Sequence, residues 1–429
     1  MTPTLCLVES NRPPGNTVDL IRAATELGYE TVLLTSDPAS VAELELGGLA
    51  APQVVPADTQ DGASIARAVS RLPGSGVAGL TTAHDFFAPV AAEAAAALGL
   101  PGPDPRAVWE CRRKDRLRAR LAGAAVPQPA FRVADTADDA VRGADEIGYP
   151  VIVKPVALAD SIGVVRCDGP DDVSAHVTAL TDPSRYATRR PVPGDLRSRV
   201  LVEAYVAGRE FTVEVLDGTA LDATETSFGP PPGFVEYQHV LPAAGRPEPA
   251  RAALLAAAER ACAAVGLRPG FAHVELRLTG SAPVVIEINP RLAGGRIPEL
   301  YRRASGRDLW RAAVRAATSA APVPAPAVTC TDSGVLRHLR LAGTAELDGT
   351  DVANLGWRPR RSCHVHVVPH ASPGAGPPTR TSDSIGWAVA TAPRVADCVA
   401  ILDDLWAELN AQVPMWPAAA DRPGAAVGS

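Results

Sequence analysis

Val284 to Gly295 reads VVIEINPRLAGG, and its polar residues fall on every second position. Successive side chains of a β-strand point to opposite faces, so Glu287, Asn289 and Arg291 share one face while Ile286 and Ile288 share the other. Gly270 to Leu278, GFAHVELRL, alternates in the same way, and the TGSAP between the two runs has hairpin length and composition. A hairpin folded symmetrically about Ser281 sets Glu275 opposite Glu287 and His273 opposite Asn289. Carboxylates facing each other across a ladder cost about 0.2–1 kcal/mol relative to a neutral pair, and more where water is excluded. Two arrangements relieve that cost. Carboxylate and amide oxygens without sulfur suit a hard ion such as Mg2+, which binds through one or two carboxylates and keeps bonds to phosphate oxygens. Alternatively, the face is solvated and Arg277 and Arg291 are the salt-bridge partners; spacing alone does not choose between the two.

At 429 residues the chain exceeds one hydrophobic core, and two or three domains are expected. Hydrophobic residues make up 46%, charged residues 21%, and the formal net charge is -7, which describes a soluble globular protein and argues against nucleic acid as a partner. Seven scattered cysteines form no CxxC pair, which fits reduced thiols in a cytoplasm. The N-terminal MTPTLCLVESN lacks the basic and apolar regions of a leader, and no apolar run approaches a membrane span. A cytoplasmic protein is expected, and assembly as a homodimer is left open. Among 41 basic residues only Lys114 and Lys154 are lysines. A chain that otherwise uses arginine keeps lysine where a compact ammonium must reach a phosphate, or by chance.

Up to about residue 105, short apolar runs (LCLV, ETVLL, PQVVP, GVAGL) alternate with helical patterns such as DLIRAATELG, which argues for α/β architecture with βαβ units on a parallel sheet. The loop ESNRPPGN places Asn11, Gly15 and Asn16 at the carboxyl end of the first strand, where open α/β sheets bind ligands. Helices are expected at about 105–122 and 136–147. The segment from about 148 to 206 reads as a small α+β flap with a mobile tip: the strand GYPVIVKPV, the loop ALADSIGV, the strand GVVRC, a helix, the arginine-rich loop TRRPVPGDLRSR and the strand RVLVEAYV. GREFTVEVL then puts Glu210, Thr212 and Glu214 on one strand face, and Arg251 to Gly266 forms an amphipathic helix before the hairpin. PVPAPA, Pro322 to Ala327, reads as a linker to a small β-rich extension over about 328–412, and residues 417–429 as a disordered tail.

These pieces, in order, resemble the ATP-grasp carboxylate-amine ligases: LGLPGPDPRAVWECRRKDRLRARL, YPVIVKP, SIGV, VEAYVAGREFTVEV, HVELRL and VIEINPRLAGGRIPEL, over roughly residues 100–320. The opening LVESNRPPGNTVDLIRAATELGYETVLLTSDP is similar to the branch containing L-amino-acid ligases, which make dipeptides. The resemblance implies an N-terminal domain at 1–105 and an ATP-grasp domain at 106–320 that uses ATP and Mg2+ to join a small carboxylate to an amine through an acyl phosphate. It assigns Lys114 and Lys154 to the ATP phosphates, Glu203, Tyr205 and Val206 to the adenine hinge, and Glu210 to the ribose. It assigns Glu275, Glu287 and Asn289 to Mg2+, and Arg291 to the transferred phosphoryl group. The flap loop departs from the family pattern: it holds only Gly163, and Asp160 brings negative charge near the phosphates, although Ser161 and Ile162 can donate backbone N–H bonds.

Substrate residues are less clearly marked. Phe228, Tyr237 and His239, in ETSFGPPPGFVEYQHVLPA, either wall an amino-acid pocket or merely pack. His273 either orders the substrate or is an ordinary sheet histidine, and Arg296 is a candidate partner for a substrate carboxylate. His364, His366 and His370 lack a second ligand pair, which disfavours zinc there. A biotin-carboxylase-like enzyme and a non-catalytic ATP sensor are the rival functions.

Overall fold

The structure is a computed structural model that describes residues 2–8, 16–44, 46–73, 76–158, 161–181, 199–229, 234–242, 248–341, 363–367, 384–411 and 415–417. Asn11, Gly15, Asp160, most of the arginine-rich loop, His370 and the tail after 417 lie outside them.

The N-terminal part comprises β1 (Thr4–Val8), α1 (Thr17–Glu26), β2 (Glu30–Thr35), β3 (Gln53–Pro56), α2 (Gly62–Ser70), β4 (Val77–Thr82) and α3 (Ala88–Ala97). Its strands form the expected parallel sheet, in the order β3-β2-β1-β4. Both faces are covered, which is why the strands are continuous apolar runs. Leu5 and Leu7 join a core with Leu20 and Ile21 of α1, while Cys6 and Val8 join one with Ile65 of α2 and Val90 of α3. Asn16, expected at a ligand-binding edge, is a clamp instead: its Nδ2 donates to the Ala293 carbonyl at 2.7 Å, and its Oδ1 accepts from the Trp310 indole at 3.0 Å.

The helix expected over 105–122 is two, α4 (Pro105–Arg112) and α5 (Lys114–Gly123). Arg113 between them is extended, at φ -95 and ψ 94, and the Lys114 backbone N–H donates to the Val156 carbonyl of the flap at 3.0 Å. A tertiary hydrogen bond has replaced a helical one there, so the break is not visible in local propensity. The flap, expected to begin at about 148, shares its antiparallel sheet, in the order β5-β8-β6-β7, with an earlier strand: it holds β5 (Phe131–Ala134), α6 (Ala137–Ile147), β6 (Val151–Pro155), β7 (Val165–Cys167), α7 (Pro170–Thr181) and β8 (Val200–Ala204). Val151 and Val153 point into the flap's own core, and Ile152 and Lys154 point the other way, into a cleft.

The remaining elements are β9 (Arg209–Leu216), β10 (Thr219–Phe228), β11 (Glu236–Leu241), α8 (Glu248–Val265), β12 (Phe271–Thr279), β13 (Ala282–Asn289), α9 (Ile297–Ser305), α10 (Leu309–Thr318), β14 (Ser333–Leu339), β15 (Cys363–Val367), β16 (Gly386–Ala392) and α11 (Val395–Asn410). They build one antiparallel sheet, in the order β13-β12-β9-β10-β11-β14-β16-β15, so the strands after residue 328 extend the core sheet directly. The alanine face of α8 packs on Phe211, Val213, Val274 and Leu276, which leaves the opposite face of these strands to the cleft.

The hairpin has the expected pairing at its far end, His273 with Asn289 and Glu275 with Glu287. It turns on Gly280 and Ser281, with Gly280 at φ +60, where a side chain would strain the backbone. A bulge restores the register, because Glu275 pairs with Glu287 while Leu276 pairs with Val285, leaving Ile286 as the extra residue. Ile286 therefore lines the cleft rather than sharing the core face with Ile288, which corrects the simple alternation.

Candidate active site

The cleft lies between the flap and the core sheet and gathers residues from Asp85 to Ile297. Lys114 Nζ sits 2.9 Å from Glu287 Oε1 and donates to the Leu158 carbonyl at 2.7 Å. Lys154 Nζ sits 2.7 Å from Glu203 Oε2. Both lysines are buried. Burial opposes the Glu203 charge, yet Arg118 and Lys154 hold its carboxyl at about 2. Burial also works against the Glu287 charge, and Lys114 and Lys154 nonetheless lower its pKa. The only two lysines of the chain thus enter one cleft and pair with its carboxylates.

Glu275 is in the opposite condition. Burial, and then the Glu287 charge facing it, push its carboxyl up to about 8. Its Oε1 accepts from Asn289 Nδ2 at 3.0 Å. Neither arginine of the solvated-face alternative reaches the facing pair: Arg277 is bound to Glu210 at 2.8 Å, and Arg291 to Asp85. Glu275, its partner across the ladder and an amide make an oxygen-donor set that fits a hard cation.

Glu203 on β8 and Tyr205 and Val206 just past its end line the cleft. Arg277 donates to the Val206 carbonyl at 2.8 Å and lies 5.3 Å from the Tyr205 ring, whose centroid is also 4.7 Å from Arg166 of the flap. Ser161 and Ile162 of the flap loop line the same space. His273 is bound through Nδ1 to the buried Glu214, which outweighs burial and raises the imidazole to about 9. Glu214 also accepts from the Ala293 backbone at 3.3 Å, tying the histidine to the chain just after Arg291.

The substrate candidates divide. Phe228 lines the cleft, with its ring edge-on to Phe234 at 6.0 Å. Tyr237 does not: it is buried on the far side of the sheet, 5.8 Å from Trp406. The reason is a second bulge, since Ser227 pairs with Gln238 and Phe228 with Glu236, which turns Tyr237 out of the cleft-facing alternation and brings Glu236 into it. His239 is fully buried behind the cleft, with Nδ1 3.2 Å from Thr226 Oγ1. Arg296 is not among the cleft-lining residues: Asp19 holds it at 2.8 Å, and its guanidinium lies 5.7 Å from the Trp310 ring and 5.1 Å from the Trp387 ring. His364 and His366 stand against Trp387 on β15.

Three charged residues that line or support the cleft escaped the sequence reading. Asp85 lies beyond the carboxyl end of β4, the edge where such sheets place functional groups, and Arg291 and Arg112 hold its buried carboxyl down at about 2 against burial. Arg118, one helical turn after Lys114, bridges Glu203 to the bulge by donating to the Ile286 carbonyl at 2.6 Å; the i,i+4 spacing was the available signal. Glu236 carried no signal beyond its nearness to His239.

Residues 147–299 match the ATP-grasp domain, and residues 21–102 match the ATP-grasp N-terminal domain. The chain is 32% identical over 310 residues to the uncharacterized protein y4rH of Sinorhizobium fredii, covering 72% of this chain and 62% of that one. It is 31% identical over 273 residues to carnosine synthase 1 of Gallus gallus, covering 59% of this chain and 29% of that one. The chain therefore spans less than two thirds of either relative. A crystal structure of an L-amino acid ligase from Bacillus licheniformis superposes with a TM-score of 0.74 at 22% identity, over 95% of this chain and 97% of that one.

Proposed function

This chain belongs to the ATP-grasp family, and from that premise we propose that it is an ADP-forming ligase joining a small carboxylate, an α-amino acid foremost, to an amine. The observation that carries the reading is the convergence of both lysines on the carboxylates of one cleft, Lys114 at 2.9 Å from Glu287 and Lys154 at 2.7 Å from Glu203. ATP phosphates are suitable replacement partners for the two ammoniums. Glu275, Glu287 and Asn289 would hold Mg2+, which supplies charge neutralisation between carboxylate and phosphate oxygens. Likeness to an L-amino acid ligase and to carnosine synthase supports an amino acid as the carboxylate.

A carboxylate is a poor electrophile, and phosphorylation makes it an acyl phosphate that an amine can attack. Such transfer is mostly positioning and charge stabilisation. Lys114 and Lys154 hold the phosphates. Arg291, fixed by Asp85 and by its bond to the Leu292 carbonyl at 2.8 Å, faces the transferred group from the end of β13. Tyr205 and the Val206 backbone border the base, Glu210 borders the ribose, and Phe228 walls the amino-acid side. His273, held by Glu214, orders the substrate beside Arg291. No thiol nucleophile is needed, and burial raises Cys6, Cys111 and Cys262 into an inert range.

The test is isotopic. Substrate labelled with ¹⁸O in its carboxyl group should deliver one label into released phosphate, with ADP as the other product, because the phosphorylated oxygen leaves when the amine attacks. AMP carrying the label would overturn the acyl phosphate, and failure to consume ATP with any carboxylate and amine pair would overturn the ligase reading.

A further inference from the structure

Behind the cleft wall, Glu236 and His239 on β11 and His338 on the paired strand β14 bring one ligand atom each to within 4.8 Å of the others. His239 Nε2 lies 3.8 Å from Glu236 Oε2. Both imidazoles are buried, at 0% and 4% exposure, and Nε2 of each lacks a hydrogen-bond partner. Native structures rarely bury such nitrogens unpaired without a ligand, ion or water to satisfy them. A third observation locates the point of convergence. A Cβ placed on Gly295 would lie 3.3 Å from His239 Nε2, 3.4 Å from Glu236 Oε2 and 3.7 Å from His338 Nε2, so only a glycine leaves the space among them open. Gly295 also lines the cleft, as does Glu236.

We propose that Glu236, His239 and His338 form a second metal site, for a transition ion of the Zn2+ class, beside the oxygen-donor set of Glu275, Glu287 and Asn289. Two imidazoles and one carboxylate select a borderline ion and not Mg2+, and three protein donors leave a fourth position open toward the cleft past Gly295. Thr226 Oγ1, 3.2 Å from His239 Nδ1, is placed to accept its proton and so keep the Nε2 lone pair available, as an outer hydrogen bond does in metal sites. Burial, then Arg340 and His239, hold the pKa of His338 well below its ordinary value, which keeps the imidazole in the neutral form that binds metal. Arg340 donates to the Glu236 carbonyl at 2.6 Å, which fixes the backbone of that ligand, and Arg296 nearby is paired with Asp19.

The experiment uses the full chain freed of metal with chelator, then dialysed against Zn2+ in excess Mg2+, with Co2+ as the spectroscopic probe. One Zn2+ per chain and intense visible Co2+ bands of a four-coordinate site are expected. His338→Ala and Glu236→Gln should each weaken binding by more than the ~10–100-fold cost of losing an outer supporting group. Glu287→Gln and the double variant His364→Ala, His366→Ala should leave binding unchanged. Circular dichroism checks the fold of each variant, and His338→Gln replaces His338→Ala where the latter unfolds. Absence of Zn2+ from the parent, unchanged binding in folded His338 variants, or loss of binding in Glu287→Gln or in the His364, His366 variant would overturn the site. Because no step uses ATP, its failure is independent of the ligase reading.

Discussion

Replacing Glu275 by glutamine should destroy catalysis while making the metal-free protein more stable. Burial and the facing Glu287 raise the Glu275 carboxyl from its ordinary 4.5 to about 8. Between those values the folded chain holds a proton that the unfolded chain releases. The contribution is therefore full below about pH 4.5, declines as pH rises through the window, and is gone above about 8. Across that window the loss is at most about 5 kcal/mol. The side chain is 24% exposed to cleft water, and screening there brings the expected loss to about 2 kcal/mol. His273, raised to about 9 against burial by Glu214 first and by Glu275 after it, adds a further decline from its ordinary 6.5 up to about 9; the Glu214 part is common to parent and variant, and the Glu275 part belongs to what the substitution removes. Urea unfolding of both proteins with chelator, at pH 4.5, 7 and 9, isolates Glu275 in their difference. Glu275→Gln should match the parent at pH 4.5 and exceed it by about 2 kcal/mol at pH 9, and Mg2+-dependent ADP formation should fall at least ~100-fold. A variant less stable than the parent at pH 9, or one turning over ATP at the parental rate, refutes the reasoning.

Lys154→Arg keeps the charge but should lower kcat/KM for ATP by about 100-fold or more, because a planar guanidinium would compete with Arg118 for the Glu203 oxygens and cannot place a point charge on phosphate; parental kinetics would make the two-lysine convergence incidental. Phe228→Ala should raise KM for the amino acid about 10-fold, whereas Tyr237→Phe, changed on the far side of the sheet, should leave KM untouched. Initial rates across a panel of amino acids measure both, and a KM effect confined to Tyr237→Phe would contradict the placement of these two aromatics.

The parallel N-terminal sheet and the facing of Glu275 by Glu287 were legible because each rests on a local period: continuous apolar runs for strands covered on both faces, and strict alternation for a hairpin covered on one. The convergence of Lys114 and Lys154 was legible for another reason, since a rare residue type in an arginine-rich chain marks a requirement that charge alone does not set. Partners distant in sequence were not. Asp85 meets Arg291 across 206 positions, and Arg118 meets Glu203 across 85, and nothing local distinguishes these carboxylates from surface ones.

Two of the departures from the sequence reading share a cause. Ile286 was placed on the face opposite Glu287 and lines the cleft; Tyr237, read as either walling a pocket or packing, packs in the core. Each stands at a β-bulge, one beside Glu287 and the other beside Glu236 and His239. A bulge puts two consecutive residues on nearly the same side of the sheet, which strict alternation forbids. At Ile286 this sets an apolar side chain next to the Glu287 carboxylate, on the cleft side, while the carbonyl of the bulged residue is turned to Arg118. At Tyr237 it lets Glu236 and His239, three positions apart, share a face that period two would deny them. Sequence periodicity thus fails where the sheet gives up regular pairing to aim side chains into the cleft, and a departure from alternation, found by structure, is itself an indicator of where the chemistry is built.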